Sequence, residues 1–486
     1  MQGTKHIHLI GVCGTAMASL AGMLQSQGHR VTGSDAAAYP PMSDQLRTMS
    51  IEIQQPYDES HLRPTPDLVV VGNAISRGNV ELEAVLDGRL PFTSMAALIH
   101  DEFLRHREPL VVCGTHGKTT TTSMLAWIYE VASRTNPAFA PSFLVGGVVE
   151  NFGTSFAVRD SKPFLLEGDE YDTAFFDKGP KFLHYFPAAA ILTHVEFDHA
   201  DIYADLNAVK TAFRRLVNLI PRRGRLVAYD ASENVTDCVS KAFCPVERYG
   251  FKEGSFWKLT DFTAGPVSHW TLLRQGEVFA QLELPMAGEH NALNASAAAA
   301  LAAGQGVPVE AIVEALKTFR SVKRRLEVRA EVDGITVIDD FAHHPTAIRE
   351  TLKALRGSYP GRRLVAVLEP RSNTLRRNVF ERELVESLAV ADRVIMADVY
   401  QSANIPAEER LHPAAVAGAL NIAGVPAQLL TDADVITAEL AATAQRGDVI
   451  AILSNGGFGD IYNKLPAALS KRSTALSEPG TALRAR

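Results

Sequence analysis

Residues 110–130 read LVVCGTHGKTTTTSMLAWIYE, and this stretch determines the predicted fold class. An apolar run at Leu110–Val112 leads into two glycines, a lysine and a row of threonines, and apolar residues then recur at helical spacing from Thr120 to about Tyr129. A strand that turns through glycines into a helix is typical of a phosphate-binding loop, because glycine lets backbone N–H groups approach phosphate oxygens. The stretch therefore predicts an α/β unit with a phosphate site at the start of its helix.

The polar residues of this loop suit a nucleotide. Lys118 supplies a point charge, and the hydroxyl of Thr119 can hold Mg²⁺. The loop is shorter than the pattern G-x-x-x-x-G-K-[ST], since Val112 stands five positions before Gly117. The alternative is a turn that contains Gly-Lys-Thr by chance, which the strand and helix on either side disfavour. The predicted contacts are Gly114, Thr115, Gly117, Lys118, Thr119 and Thr120.

Apolar strands separated by helices extend from this unit in both directions. At about 150 residues per domain, the 486 residues correspond to about three domains. Continuous apolar strands indicate parallel sheets that are covered on both faces, whereas short alternating pieces from about Gly254 to Leu284 predict an antiparallel edge. We predict α/β domains at 1–107, 108–320 and 321–470 and a loose tail at 471–486. The predicted strands are His6–Ile10, Arg30–Thr32, Asp67–Val71, Leu110–Val112, Phe164–Leu166, Ala189–Thr193, Ile335–Ile338, Leu364–Leu368, Arg393–Ala397 and Val449–Leu453, and the predicted helices include Leu206–Leu219 and an Ala-rich buried run after Asn294.

Composition and charge exclude several classes of protein. Hydrophobic residues make up 46% and charged residues 21%, as in ordinary globular proteins and unlike disordered or coiled-coil chains. The formal net charge of −7 predicts no attraction to nucleic acid or to an anionic membrane, and no apolar run reaches the roughly 18 residues that span a bilayer. Four scattered cysteines predict neither a disulfide framework nor a zinc site. Because no separate signal segment precedes the first strand, we expect a cytoplasmic protein.

A second glycine turn follows the first predicted strand. Gly11 and Gly14 are separated by two residues, which is not the full G-x-G-x-x-G spacing of a dinucleotide site. Asp35 ends the next strand, at the position where such folds bind a ribose or a base. A tight turn and an ordinary strand end are the alternatives. An NAD-dependent oxidoreductase is disfavoured because the glycine pattern is incomplete and a Gly-Lys-Thr loop follows.

Acidic and imidazole side chains follow two other predicted strands. Glu167 ends the strand in LLEGDEYD, and His199 lies just after the strand in THVEFDHAD. Because the carboxyl ends of parallel strands meet at one edge of a sheet, we expect both side chains to converge on the phosphate loop. Carboxylate oxygens suit Mg²⁺, whereas a histidine ligand is less expected on chemistry alone. Solvated loop side chains are the alternative.

Further polar groups lie near the start of the third unit. GEHNALNAS places His290, Asn291 and Asn294 on one helical turn, where an imidazole can stack on a base and a carboxamide can pair with its edge, and helix capping is the alternative. KRRLE and DDFAHHP carry a second group of candidates at Arg324, Arg325, Asp340 and His343. The two arginines can clamp a phosphate when domains close, and the alternative is that they are ordinary surface arginines. The Asp340 carboxylate can accept hydrogen bonds from ribose hydroxyls.

Together these motifs resemble the Mur ligase family, the ATP-dependent amide-forming enzymes of peptidoglycan assembly. The ordered set GTHGKT, LLEGDEYD, HVEFDH, GEHNALN, KRRLE and DDFAHHP carries the resemblance, which runs from IHLIGVCGTAM to SNGGFGD. GVCGTAMASLAGML, LEPRSNTLRR and LSNGGFGD are similar to the branch that joins the tripeptide L-alanyl-γ-D-glutamyl-meso-diaminopimelate to UDP-N-acetylmuramate in murein recycling. The GIG-type start and the PHRYTR-type loop of the branch that adds L-alanine are absent.

The resemblance implies an α/β fold of three domains: a Rossmann-like UDP-binding domain, a central P-loop ATPase-type domain and a C-terminal Rossmann-like domain that brings in the peptide. It implies ATP and Mg²⁺ as cofactors, UDP-N-acetylmuramate and the murein tripeptide as partners, and a monomer or weak homodimer. ATP would phosphorylate the lactyl carboxylate, and the tripeptide amine would then displace phosphate from the acyl phosphate. The rivals are the L-alanine ligase and a catalytically silent UDP-sugar sensor.

The resemblance also implies the residues of each site. The UDP-sugar would contact Gly11, Gly14, Thr15, Ala16, Met17, Asp35, Asn73, Ser76 and Asn79. ATP would contact the phosphate loop together with His290, Asn291, Asn294, Arg324, Arg325, Asp340 and His343. Mg²⁺ would bind Thr119, Glu167 and His199, while Lys118, Arg325 and His116 would act in catalysis, the last by positioning the sugar carboxylate. The peptide would contact Arg371, Ser372, Asn373 and Asn455, since guanidinium groups suit carboxylates, and a solvated helix start is the alternative for Arg371.

One position departs from the family pattern. Several members carry a carbamylated lysine, a ligand on the metal side, in the helix after the DH motif. The only lysine in that helix here is Lys210, eleven residues after His199 and about one turn earlier than in those members. The modification is therefore not carried over, and the ligands of a second metal stay open.

Overall fold

Three large sheets, each with its own helices, follow one another along the chain. The computed structural model describes residues 3–38 and 42–477. The central strands of each sheet are buried and rich in Val, Ile and Leu, as expected when helices cover both faces of a parallel sheet. Among the described residues, no helix is both long enough and apolar enough to cross a membrane. The predicted three-unit α/β architecture is confirmed.

The first sheet is parallel throughout and has five strands. Its unit consists of β1 (His6–Ile10), α1 (Thr15–Ser26), β2 (Arg30–Ser34), α2 (Met42–Thr48), β3 (Ile53–Gln54), β4 (Leu68–Val71), α3 (Val80–Asp87), β5 (Phe92–Ser94) and α4 (Met95–Ile99). The strand order is β3-β2-β1-β4-β5, so the order reverses at β1, whose carboxyl end carries the first glycine turn. In open α/β sheets a crevice for ligands lies at such a reversal.

The second sheet is the largest, with ten strands in the order β17-β16-β15-β14-β13-β12-β6-β9-β7-β8. Its unit begins with β6 (Glu108–Cys113), α5 (Lys118–Ser133), β7 (Ser142–Val149), β8 (Thr154–Ala157), β9 (Pro163–Gly168), β10 (Asp172–Ala174), β11 (Asp177–Pro180), β12 (Ala189–Leu192) and α6 (Leu206–Leu219). It continues with β13 (Arg225–Tyr229), α7 (Glu233–Val239), β14 (Val246–Gly250), β15 (Trp257–Thr263), β16 (Ser268–Arg274), β17 (Glu277–Leu284), α8 (Glu289–Gly304) and α9 (Val309–Lys317). The antiparallel edge predicted between Gly254 and Leu284 is confirmed by β15, β16 and β17.

The third sheet has six strands, of which only the edge pair is antiparallel. Its unit consists of β18 (Glu327–Val332), β19 (Ile335–Asp340), α10 (Pro345–Ser358), β20 (Leu364–Leu368), α11 (Glu381–Leu388), β21 (Arg393–Ala397), α12 (Pro413–Ile422), β22 (Ala427–Leu430), α13 (Ala433–Thr443), β23 (Val449–Leu453) and α14 (Ile461–Ser477). The strand order is β18-β19-β23-β20-β21-β22, which places the carboxyl ends of β19, β20 and β23 side by side.

The position of β6 explains how the motifs meet. It pairs in parallel with β12 on one side and β9 on the other, with Cys113 opposite both Leu192 and Gly168. The three segments that follow these strands are the phosphate loop, the GDEYD turn and the THVEFDH turn. They emerge together at one edge of the sheet, as predicted from the parallel arrangement.

The strands that the sequence analysis missed are β3, β5, β7, β8, β10, β11, β13, β14, β18 and β22. Most of them lie at or next to sheet edges or outside the large sheets, where one-sided burial leaves little apolar periodicity to detect. The exceptions are β13 and β14, which lie inside the second sheet and were missed although they are largely buried. The prediction of a loose tail from residue 471 is corrected, because α14 continues to Ser477. The side chains of Leu465 and Leu469 on this helix are buried. Residues 478–486 lie outside the described part of the chain.

Candidate active site

The phosphate loop packs so tightly that two of its positions require glycine. Gly114 and Gly117 have φ angles of +128° and +81°, which side chains rarely tolerate. A Cβ at Gly114 would lie 2.2 Å from the Thr193 hydroxyl, and a Cβ at Gly117 would lie 2.6 Å from Asn294 Oδ1. The loop backbone is thus held against the segment after β12 and against α8, at the N-terminus of α5, where helical N–H groups favour an anion.

Lys118 is held in this loop as a partly buried cation. Its Nζ lies 2.9 Å from Glu170 Oε2 and donates to the Gly114 carbonyl oxygen at 2.8 Å. Burial opposes the charge on Lys118, but the Glu170 and Asp169 carboxylates outweigh it and raise the pKa of the lysine. A positive charge is therefore held at the phosphate loop.

Glu170 connects this lysine to His199. The imidazole Nε2 lies 3.1 Å from Glu170 Oε1. Burial alone would lower the pKa of His199, but the hydrogen bond and charge of Glu170 raise it to about 9. Asp169, Glu170 and His199 place one ligand atom each within 4.8 Å of one another. Glu170 and Asp169 belong to the same hexapeptide as Glu167, yet sequence reasoning selected Glu167 alone.

Thr119 and Glu167 form a second pair beside the loop. The threonine hydroxyl donates to Glu167 Oε2 at 3.1 Å, and the Gly146 N–H donates to Glu167 Oε1 at 2.5 Å. Burial raises the pKa of Glu167, so a cation at this carboxylate would relieve a real electrostatic cost. A hydroxyl and carboxylates are the oxygen donors that Mg²⁺ prefers, so the residues present fit the metal that the sequence predicts.

Lys210 is engaged by a carboxylate of α7. Its Nζ forms an ion pair with Asp237, which follows β13 in α7. The same carboxylate accepts from Arg214 at 2.7 Å. Both of these cations of α6 therefore share the Asp237 carboxylate.

A cavity of about 590 Å³ opens beside the phosphate loop and is called the nucleotide cavity here. It lies between the second and third units and is lined by His290, Asn291 and Asn294 of α8, together with Arg325 and Asp340. His290 Nδ1 is buried and has no hydrogen-bond partner within residues 3–38 and 42–477. Burial lowers the pKa of this imidazole, so it is a neutral ring that can accept or stack. Tyr229, Phe262 and Glu350, which sequence reasoning did not select, also line the cavity.

Of the two adjacent arginines, only Arg325 lines the nucleotide cavity. Arg324 Nε donates to Asp339 Oδ2 at 3.1 Å, and its Nη2 donates to Tyr462 Oη at 2.5 Å. The predicted phosphate contact of Arg324 is therefore corrected: it ties β19 to α14 inside the third unit. Asp340 is also largely committed, because it accepts from the Leu326 and Ala342 N–H groups at 2.8 and 2.9 Å.

His116 lies where the second and third units meet. Its Nε2 is 2.8 Å from Glu196 Oε2, and its ring centre is 4.4 Å from that of His344. Glu196 also accepts from the Thr346 hydroxyl at 2.8 Å. Burial opposes ionisation of Glu196, but the hydrogen bond and charge of His116, with His344, lower its pKa to about 2. The phosphate loop is thus linked directly to the start of α10.

A second cavity, of about 350 Å³, is lined in part by His199 and is called the arginine cavity here. Arg371 lies with its guanidinium 3.8 Å from the centre of the Tyr400 ring. Asn373 Nδ2 donates to Asp201 Oδ2 at 2.8 Å, and Asn455 Oδ1 is buried without a partner among the residues described. The full set of lining residues is Tyr171, Asp198, His199, His343, Arg371, Ser372, Asn373, Thr374, Arg376, Tyr400, Gln401 and Asn455.

The four residues predicted to contact the peptide are therefore brought together, with Arg376 beside them. His343 corrects another expectation. It was predicted to contact ATP, but it lines the arginine cavity and is absent from the lining of the nucleotide cavity as the structure describes it. The adjacent residue His344 faces Phe197 and Glu196 instead, because neighbouring side chains at a helix start diverge.

The first glycine turn is built around Asp35. Its Oδ2 accepts from the Cys13 N–H at 2.8 Å, so the carboxylate stabilises the turn between β1 and α1. Gly11, Gly14, Thr15, Ala16 and Met17 form this turn and the start of α1, as predicted. Asn73 and Ser76 are exposed nearby, whereas the Asn79 side chain caps α3 by accepting from Glu81 and Leu82. The carboxamide oxygen of Asn79 is therefore committed to the helix.

Comparison with known proteins decides the family. The Mur ligase family catalytic domain matches residues 6–107, the Mur ligase middle domain matches 112–302, and the Mur ligase glutamate ligase domain matches 324–456. A ligase of Escherichia coli (strain K12) is 43% identical over 470 residues, which is 96% of this chain and 99% of that protein. The chain belongs to the Mur ligase family. It is accordingly an ATP-dependent ligase, and the resemblance drawn from the motifs is confirmed.

Similar Mur ligases differ in the acceptor that their names state. The E. coli protein is named UDP-N-acetylmuramate–L-alanyl-γ-D-glutamyl-meso-2,6-diaminoheptandioate ligase. A murein peptide ligase from Psychrobacter arcticus superposes with a TM-score of 0.72 at 37% identity, covering 96% of this chain and 99% of that one. A UDP-N-acetylmuramate–L-alanine ligase from Psychrobacter sp. (strain PRwf-1) is 32% identical over 476 residues, 96% of each chain.

Proposed function

We propose that this Mur ligase joins L-alanyl-γ-D-glutamyl-meso-2,6-diaminopimelate to the lactyl carboxylate of UDP-N-acetylmuramate, with hydrolysis of ATP to ADP and phosphate. The observation that carries the proposal is the arginine cavity, which adjoins the phosphate-loop centre at His199 and presents two guanidinium groups. Two proteins whose names state this acceptor match the chain over 96% and 95% of its length, at 43% and 42% identity. Their similarity supports the same acceptor here.

Charge stabilisation at the phosphate loop accounts for the first step. The N-terminus of α5 and Lys118 bind the γ-phosphate and stabilise the charge on its oxygens while the phosphoryl group passes to the lactyl carboxylate. Lys118 leaves Glu170 to do so, and Glu170 remains paired with His199. Arg325, which lines the nucleotide cavity, adds a second cation from the third unit. The third unit therefore contributes a charge to the site in the arrangement that the structure has.

Thr119 and Glu167 would hold one Mg²⁺, and His199 with Glu170 would contact a second. Bound there, the metal supplies electrostatic stabilisation of phosphate oxygens. The residues themselves set the geometry, since the Gly146 N–H fixes one oxygen of Glu167 and leaves the other toward Thr119. In the first unit, the glycine turn after β1 would bind the diphosphate of the UDP-sugar at the start of α1.

Acceptor choice follows from the charges of the arginine cavity. The tripeptide carries several carboxylates, whereas free L-alanine carries one. Planar guanidinium groups bind carboxylates through paired hydrogen bonds, and the ring of Tyr400 fixes the plane of Arg371. Arg376 Nη2 donates to Asn373 Oδ1 at 2.6 Å, which orients it in the same wall. Asn455 Oδ1 offers an acceptor for an N–H of the peptide.

The test measures phosphate release with ATP, Mg²⁺ and UDP-N-acetylmuramate, comparing the tripeptide with L-alanine. We expect release and a ligated nucleotide product with the tripeptide alone. Turnover with alanine alone would identify an alanine-adding ligase, and UDP-sugar binding without turnover on either acceptor would identify a sensor.

A matched pair of variants tests the cavity itself. Arg371→Ala should raise the KM for the tripeptide about tenfold or more, because a charge-assisted pair is lost. Arg382→Ala removes an arginine whose side chain is 82% exposed on α11, and its KM should equal that of the wild type. An unchanged tripeptide KM in Arg371→Ala would contradict the assignment of the arginine cavity.

A further inference from the structure

The arginine cavity contains an imidazole whose hydrogen position is dictated by its surroundings. His343 Nδ1 lies 2.8 Å from the carbonyl oxygen of Phe341. A carbonyl oxygen only accepts, so Nδ1 must carry the hydrogen, and the neutral ring then has its lone pair on Nε2. Nε2 has no hydrogen-bond partner in the described ranges of the chain. An unprotonated nitrogen with a fixed tautomer thus borders the cavity.

The surroundings of His343 keep its imidazole neutral until it accepts a proton. Burial lowers the pKa of this imidazole, and the Asp198 carboxylate acts in the opposite direction. The titratable and charged side chains that face it, or share its cavity, are Asp198, His199, Arg325, Tyr171, Arg371 and Arg376. Asp198 is the one carboxylate among them, and it is positioned to stabilise an imidazolium once formed.

The other candidate bases in this region are committed to partners. His199 Nε2 is bound to Glu170, and Asp198 Oδ1 accepts from both the His199 N–H and the Thr374 hydroxyl at 2.7 Å. His344 Nδ1 accepts from the Thr346 N–H at 3.3 Å, while its Nε2 lies 3.2 Å from the Phe197 carbonyl oxygen. His343 Nε2, in contrast, borders this cavity with no hydrogen-bond partner among the described residues, so its lone pair is available.

We propose that His343 is the general base that deprotonates the acceptor amine, which deepens the ligation proposed above and rests on it. The α-ammonium of the acceptor gives one proton to His343 Nε2. The resulting amine attacks the carbonyl carbon of the muramyl acyl phosphate, the carbon–oxygen bond to phosphate breaks, and phosphate departs with the electron pair. The second N–H proton passes to that phosphate as the amide forms. Asp198 stabilises the imidazolium until the proton leaves to solvent.

His343→Gln tests the base with two acceptors of different protonation. The tripeptide amine is an ammonium at neutral pH, whereas hydroxylamine is neutral and attacks an acyl phosphate without a base. General-base catalysis contributes about 10²–10⁴-fold, so we expect tripeptide kcat to fall about 100-fold or more while hydroxamate formation changes less than about threefold. Tripeptide kcat in His343→Gln should also rise with pH as the free amine becomes available.

His269→Gln is the control, since His269 is exposed on β16 outside both cavities, and it should match the wild type with both acceptors. Equal losses with the tripeptide and with hydroxylamine would overturn the proposal, because a structural role affects both. A rise in tripeptide KM at unchanged kcat would also overturn it, since that is the signature of binding alone.

A failure of the proposed function can be distinguished from a failure of the general-base proposal. A wild-type enzyme that releases no phosphate with the tripeptide contradicts the acceptor, whatever His343 does. The same two-acceptor comparison is then made with the amine that the enzyme does use. A selective loss of that amide in His343→Gln supports the base, and no loss overturns it.

Discussion

Gly117→Ala tests whether the phosphate loop needs bare backbone beside Asn294. Gly117 has a φ of +81°, and an added Cβ would lie 2.6 Å from Asn294 Oδ1 and 3.3 Å from its Cγ. The left-handed conformation costs a residue with a Cβ about 1–2 kcal/mol, and an extra carbon in packed surroundings costs about 1–3 kcal/mol more. We therefore expect the free energy of unfolding to fall by about 2–5 kcal/mol, the sum of these two effects.

Gly254→Ala is the matched control for this substitution. Gly254 has a φ of +79°, and a Cβ there would meet no heavy atom within 4 Å. Only the conformational cost remains, so the loss should be about 1–2 kcal/mol. The difference between the two variants measures the close approach of the loop to α8.

The same crowding should weaken ATP binding. Asn294 lines the nucleotide cavity and must shift to admit the new carbon. We expect the KM for ATP to rise about tenfold, equivalent to about 1.4 kcal/mol, in Gly117→Ala and to stay unchanged in Gly254→Ala. Urea denaturation followed by circular dichroism and phosphate release over a range of ATP concentrations measure the two effects. Equal stability losses, or an unchanged KM in Gly117→Ala, would refute the reasoning.

Three further predictions concern the cation, the domain contact and the metal. Arg324→Gln should lower the free energy of unfolding by about 1–3 kcal/mol, because Asp339 loses a charge-assisted hydrogen bond. Burial already raises the pKa of Asp339 to about 6, so the carboxyl takes up a proton instead of staying charged, and an unchanged unfolding free energy in urea denaturation would contradict this. The pKa of Glu196 is lowered to about 2, so its stabilising contribution is present above pH 4.5 and is lost as the pH falls from 4.5 to 2. Glu196→Gln should therefore make the free energy of unfolding depend less on pH over that window. Plots of unfolding free energy against pH that run parallel for wild type and variant would refute this prediction. Thr119→Val should raise the Mg²⁺ concentration for half-maximal phosphate release about tenfold, and chelation should abolish release in the wild type; an unchanged Mg²⁺ requirement would remove Thr119 from the metal site.

Local pattern was sufficient to predict the phosphate loop and its helix. The glycines at 114 and 117 and the apolar residues around them can be interpreted from a few neighbouring positions, because backbone conformation and strand burial are local properties. The convergence of the strand ends was also predictable, since parallel strands place their carboxyl ends at one edge. The pairing of β6 with both β9 and β12 confirmed it.

The acidic turn after β9 shows where local pattern stops. Glu167, Asp169 and Glu170 have similar chemistry and lie within four positions, and the strand end favoured Glu167 without indicating partners for the other two. In the structure Glu167 faces Thr119, Asp169 bonds Lys181 at 2.7 Å, and Glu170 faces Lys118. The side chains diverge because the turn leaves the strand, and their partners come from distant segments.

By itself, then, the sequence determined the class of fold, the phosphate loop and the family, because these depend on residue types at short and ordered spacings. Tertiary structure alone decided which of two adjacent residues serves the site. Arg325 lines the nucleotide cavity while Arg324 binds Asp339, and His343 borders the arginine cavity while His344 contacts Phe197. Neighbouring side chains leave the backbone in different directions, and what each one meets is set by the packing of segments far apart in the chain.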